Sequence, residues 1–226
     1  MSYLFNVKQL LSFVVKEIRL EWRSRYAING IVLYLISTIF ICYLSFNVRS
    51  DALNPVIWNV LFWIIILFSL VNAVAKSFIQ ETEGSFLYLY WTHSPQTLIV
   101  GRTIYNGLLM LILGSVGFVI YSLVLGNPVQ DLLIFFLVIV LGTLGLSFTM
   151  TMVSAIASKA RNSNTLMAIL SFPIVLPMLL MIIKISKNAI SGVERAASLD
   201  DFLVLGAINA LVGAASYLLF PYLWRS

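Results

Sequence analysis

Leu61-Phe62-Trp63-Ile64-Ile65-Ile66-Leu67-Phe68 is apolar on every side. A strand of a membrane barrel is about ten residues long and alternates lipid-facing with polar positions, so an unbroken run of this kind belongs to a helix. The run lies inside Val56 to Ala75, which contains no Asp, Glu, Lys or Arg. Five more segments share that property: Ile28 to Phe46, Thr103 to Leu125, Leu132 to Ala157, Asn164 to Ile183 and Phe202 to Trp224. Each is long enough to cross a hydrocarbon core of about 30 Å as a helix. The expected fold is all-α, a polytopic membrane protein with six transmembrane helices. Composition agrees, because a chain of 226 residues that is 61% hydrophobic and 10% charged would expose large apolar patches as a soluble domain.

The cations orient these spans. With the N-terminus on the cytoplasmic face, ten of the 14 Lys and Arg fall inside and four outside, so both termini are predicted cytoplasmic. The formal charge of +5 suits anionic lipid heads, and no basic cluster points to nucleic acid. Residues 1–27 do not read as a cleavable signal, because charge interrupts their apolar residues. They read as an amphipathic interfacial helix, with Leu4, Val7, Leu11, Val14, Ile18 and Trp22 on one stripe and Lys8, Ser12, Lys16, Arg19 and Arg23 on another. Two roles fit this pattern: an anchor, and an elbow that supports the first span and moves with it. The chain thus divides into the interfacial helix, 1–27, and a six-helix transmembrane domain, 28–226.

No catalytic constellation is present. His93 is the single histidine and has no second His or Cys nearby in sequence to complete a metal site. No nucleotide-binding Gly-x4-Gly-Lys-Ser/Thr run occurs, so the chain is expected not to be an enzyme, and any ATP hydrolysis must come from a separate subunit. Cys42, the one cysteine, lies inside the first span and allows no intrachain disulfide. Within the spans Asn59, Asn72, Asn106 and Asn209 are the most polar side chains, and they are read as interhelical hydrogen-bond pins. The lack of ionisable groups there argues against an ion-coupled transporter.

Gly142 with Gly145, Gly114 with Gly117, and Gly206 through Gly213-Ala-Ala-Ser216 offer small surfaces for close helix approach. Pro173 and Pro177 each remove a backbone donor in the fifth span, which is therefore expected to bend or unwind locally. A static kink and a hinge both satisfy that pattern. Lys184 to Asp201 reads as a solvated outer loop, with a short amphipathic helix as the alternative.

The most distinctive stretch is a polar island, Lys76 to Arg102, between the second and third spans. It holds two of the chain's nine acids, Glu81 and Glu83, then Gly84-Ser85, the apolar run Phe86-Leu87-Tyr88-Leu89-Tyr90-Trp91, and Pro95. Aromatic rings favour the headgroup level, while a break at Gly84 projects the acids into the cytoplasm. Acids do nothing to retain a loop on that face, which favours docking to a soluble partner over simple solvation.

Six spans with a first inner loop of the form acid-Gly-Ser, a hydrophobic stretch and Pro, here Glu83-Gly84-Ser85 to Pro95, resemble the permease subunits of ABC-2 type exporters. With the basic amphipathic start and Pro173-x-x-x-Pro177, the chain is similar over its whole length to the CcmB family, haem exporter protein B of cytochrome c maturation. The resemblance implies a bacterial inner-membrane permease that pairs with itself and with a cytoplasmic ATP-binding subunit, CcmA-like, which pushes on a coupling loop within 76–102. Glu81, Glu83, Gly84, Ser85 and Pro95 are the coupling positions it implies, and CcmC-, CcmD- and CcmE-like proteins are the further partners. It implies haem as cargo of the complex, with no cofactor bound by this chain. A lipid or drug exporter and a non-transporting scaffold for assembly factors share these sequence features.

Overall fold

The computed structural model describes residues 7–24, 26–47, 53–74, 94–159 and 163–225. Among these are seven α-helices, α1 (Val7–Ser24), α2 (Tyr26–Asn47), α3 (Pro55–Val74), α4 (Pro95–Leu125), α5 (Leu132–Ala157), α6 (Ser163–Ile190) and α7 (Leu199–Arg225), with a 3-10 turn at Arg195–Ser198 before α7. The described residues contain no strand. Helices α2 to α7 are each long and apolar enough to cross a membrane, and the chain is a multi-pass membrane protein.

Three spans run past their charge-free cores, each for a local reason. Helix α4 starts at Pro95 because Ser94 caps it: the Ser94 hydroxyl accepts from the Thr97 amide at 3.2 Å, and proline at the first position forfeits only an amide that has no helical partner. Its 31 residues extend about 46 Å, longer than the hydrocarbon core, so its first turns stand at the interface. Helix α6 continues through Lys184 and Lys187 to Ile190, and α7 begins at Leu199 with Asp200 and Asp201 in its first turn. Cations at a helix C-terminus and acids at an N-terminus both match the helix dipole. Lys184 and Asp201 then pair at 2.8 Å. The stretch from Lys184 to Asp201 is therefore two helix ends and a tight turn, not a solvated loop.

Helix α5 is the hub, packing against α3, α4, α6 and α7. Of its span 56% is buried inside the chain, against 17% for α2 and α7 at the rim. Its sequence explains this. Gly142, Thr143, Gly145, Ser147, Thr149, Thr151, Ser154 and Ala155 keep its girth small on several sides, and the Thr143 and Thr151 hydroxyls donate to the carbonyls one turn back at 2.7 Å. Lipid is as apolar as leucine, so close packing and hydrogen bonds hold such a bundle rather than expulsion from water. A Cβ at Gly114 would stand 2.7 Å from Thr143 Cγ2, and one at Gly145 would collide with Asn209 Oδ1 and Met178 Cε. Gly206 and Gly213, by contrast, face open space, so only part of the small-residue surface is used within one chain.

At the end of the bundle away from the island Trp58, Phe62, Phe118, Tyr121 and Phe135 interlock α3, α4 and α5, with the Trp58 and Tyr121 rings 4.8 Å apart. Gly126 ends α4 at φ +81°, a conformation open to glycine, and its carbonyl accepts from Trp58 Nε1 at 2.9 Å.

Candidate functional site

The island hangs between two buried points. Val74, the last residue of α3, is fully buried, and Ser94, which caps α4, is 3% exposed. Glu81, Glu83, Gly84 and Ser85 lie outside the described residues, as do Lys76 and His93. Pro95 is the first residue of α4, so the island's last eight residues are helix. Thr97 is buried and shares a 2.7 Å hydroxyl contact with Ser94. The island therefore joins α4 through a capped, buried helix start.

Around that start the chain builds a second small core, Phe13, Leu98, Ile99, Ala155 and Phe220, which joins α1, α4, α5 and α7. The stripe read from the sequence missed Phe13. Helix α1 in fact has two apolar faces: Phe13 and Val14 are buried, while Leu11, Val15 and Ile18 stay exposed. Arg102 was read as the flank of a loop, yet it is 3% exposed. The signal for it lay in the spacing, because Arg102 falls four residues before Asn106 on the inward stripe that continues through Met110, Leu113 and Gly117.

Three of the four asparagines cross between helices. Asn59 donates to the Ile183 carbonyl at 3.0 Å and accepts from Ser186 Oγ at 2.8 Å, while Trp63 Nε1 donates to the same hydroxyl at 3.0 Å. Asn106 donates to Thr151 Oγ1 and Asn209 to the Leu141 carbonyl, each at 2.9 Å. Asn72 is the exception: it is exposed and donates to the Phe68 carbonyl of its own helix. Ser186 was not anticipated, since a lone serine beside two lysines gives no sign of its partners.

Pro173 and Pro177 sit within α6, which runs uninterrupted from Ser163 to Ile190. Both are exposed, on the outward face that carries Ile169, Phe172, Leu176 and Leu180. They lie about 15 and 21 Å along the axis from the start of α6, at mid-span, whereas Pro95 is at the island end of α4.

Among the described residues no three His, Cys, Asp or Glu side chains gather where a metal ion would be held. The site offers a buried helix cap at Ser94, a buried cation and polar pins between helices. A family model described as CcmB protein matches residues 8–221. The chain belongs to the CcmB family. Members of that family are membrane components of the haem exporter of cytochrome c maturation and permease subunits of their complex. No curated protein matches the sequence. The match takes in α1 from its second residue, the whole island, α2 to α6 and α7 as far as Pro221 of this CcmB-family chain.

Proposed function

We propose that this chain is the inner-membrane permease that couples ATP hydrolysis in a CcmA-like partner to helix rearrangement during haem export for cytochrome c maturation. Both termini and the island face the cytoplasm, on the cation count. The partner grips the island at Glu81, Glu83, Gly84 and Ser85, and its closure is delivered to α4 through Ser94 and Pro95. Pro173 and Pro177 form the hinge of α6. The permease works as a homodimer beside CcmC-, CcmD- and CcmE-like proteins, with ATP use serving release of the haem-loaded chaperone.

The observation that carries this reading is the family match across residues 8–221. The burial of Val74 and Ser94 at the island's two ends supports it, since a partner that displaces the island would act on two packed helices. Purification of a tagged chain in mild detergent should bring down an ATPase, and Glu83→Lys with Gly84→Pro should reduce its recovery or uncouple hydrolysis. Recovery of no ATPase overturns the proposal. Deletion of the chain should abolish holo-cytochrome c while haem synthesis continues.

A further inference from the structure

Helix α6 is fastened along one half and loose along the other. From Ile182 to Ile190 it buries Ile182, Ile185, Ser186, Ala189 and Ile190, and polar ties reach that half from three directions. Asn59 of α3 donates to the Ile183 carbonyl at 3.0 Å, and Asn59 Oδ1 and Trp63 Nε1 both hold the Ser186 hydroxyl, at 2.8 and 3.0 Å. The Asp131 amide at the start of α5 donates to the Ala189 carbonyl at 3.0 Å. Toward α7, Asn188 donates to Ser198 Oγ at 3.1 Å and Lys184 pairs with Asp201 at 2.8 Å. Buried hydrogen bonds such as those of Asn59 and Ser186 are costly to break in lipid, where no water replaces the lost partner.

The other half is held differently. From Thr165 to Leu180 the buried residues are Met167, Val175 and Met178, and Thr149 of α5 meets Met178 through sulfur, a weak acceptor, at 3.4 Å. Ser171 returns its hydroxyl to the Ala168 carbonyl of its own helix. Between the halves stand Pro173 and Pro177. Each withholds the amide that the carbonyl four residues earlier needs, so the backbone bonds to the Ile169 and Pro173 carbonyls are missing close to where the fastening ends. The loose half is at the island's end of the bundle, because α6 begins shortly after Ala157 and Ala155 sits in the core around the first turns of α4.

We propose that α6 is a cantilever: residues 182–190 stay clamped to α3, α5 and the turn before α7, while residues 165–172 swing on Pro173 and Pro177. The bundle then opens beside α5 at the island's end and stays shut at the opposite end, with Asn59 and Ser186 as the fixed point. This rests on the hinge of the proposed function and says which half of α6 that hinge releases. The clamp and the difference in local stability between the halves need no ATPase, so they can be measured even where coupling fails.

Hydrogen exchange of the whole chain in lipid nanodiscs tests the two halves. Amides of residues 165–172 should exchange about tenfold faster than those of 182–190, and the double variant Pro173→Ala, Pro177→Ala should narrow that gap to about twofold. Equal protection in the parent, or a gap that survives loss of both prolines, overturns the inference. Cross-linking tests the fixed point. In a Cys42→Ser background, Asn59→Cys with Ser186→Cys should form a disulfide on mild oxidation, and the linked chain should support as much holo-cytochrome c as its reduced form. A chain that accumulates but does not link, or one that loses activity on linking, shows that α3 and α6 part at this level and overturns the scheme. Where the reduced form is inactive, or deletion of the chain leaves holo-cytochrome c intact, the exchange measurement alone decides.

Discussion

Asp131 and Arg195 meet across 64 residues, with Arg195 Nε donating to Asp131 Oδ2 at 2.6 Å and its terminal nitrogen to Oδ1 at 3.3 Å. The same carboxylate caps α5 by accepting from the Leu133 and Ile134 amides at 3.1 and 3.2 Å, and the Asp131 amide donates to the Ala189 carbonyl at 3.0 Å. One residue thereby joins the start of α5, the end of α6 and the turn before α7. The Arg195 guanidinium, aided by the amide of Ile134, holds the carboxyl below the usual carboxylate range. A depressed folded-state value means that the tie is fully present above the ordinary carboxylate pKa of about 3.9 and is lost as pH falls through the folded value. Tm in detergent should not vary with pH near neutrality, where this tie is complete, and should fall below about pH 4. Arg195→Gln should flatten that acid limb. At neutral pH Asp131→Ala, which removes cap and ion pair together, should lower Tm more than Asp131→Asn, which keeps a capping oxygen.

The glycines of α5 and α7 separate by what faces them. Gly145→Ala places a carbon on Asn209 Oδ1 and Met178 Cε, and strain of this kind costs about 1–3 kcal/mol. Gly206→Ala meets nothing within 4 Å and improves helix propensity, so its Tm should not fall. Equal effects of the two substitutions in a thermal melt contradict the assigned contacts.

Asparagine pins can be sorted in the same way. Asn59→Leu breaks the bonds to the Ile183 carbonyl and to Ser186, whose hydroxyl keeps the Ile182 carbonyl as its acceptor, a loss of about 1–2 kcal/mol within a membrane bundle. Asn72→Leu removes only a bond to the Phe68 carbonyl of its own helix on an exposed face and should be near neutral. A denaturant titration in mixed micelles reads both.

These contrasts show where sequence reading succeeds and where it stops. The spans are legible because lipid permits a single solution, an apolar helix with its backbone satisfied internally, and Leu132–Ala157 is recovered to the residue. Boundaries drift where a local device extends a helix into charged sequence, as Ser94-Pro95 does for α4 and Lys184 with Asp201 does for α6 and α7. Burial of Arg102 was legible only through its spacing from Asn106. The roles of Ser186 and Asp131 were not, since partners 127 and 64 residues away leave no trace in local pattern. For the proposed coupling site the sequence offers acids, glycine and proline in order, and the described residues add the burial of the adjoining helix cap at Ser94.

The prolines of α6 allow function to be separated from stability. Pro173 and Pro177 lie on the outward face with Phe172, Leu176 and Leu180, so alanine at either position removes no inward packing within the chain. Alanine also restores a backbone donor that proline lacks, where an interior proline costs a helix about 3 kcal/mol. The double variant Pro173→Ala, Pro177→Ala should therefore melt no lower than the parent. If these residues are a hinge, holo-cytochrome c should nonetheless fall, because a stiffened α6 resists displacement while the chain accumulates normally. A double variant that is both stable and fully active removes the hinge from the mechanism.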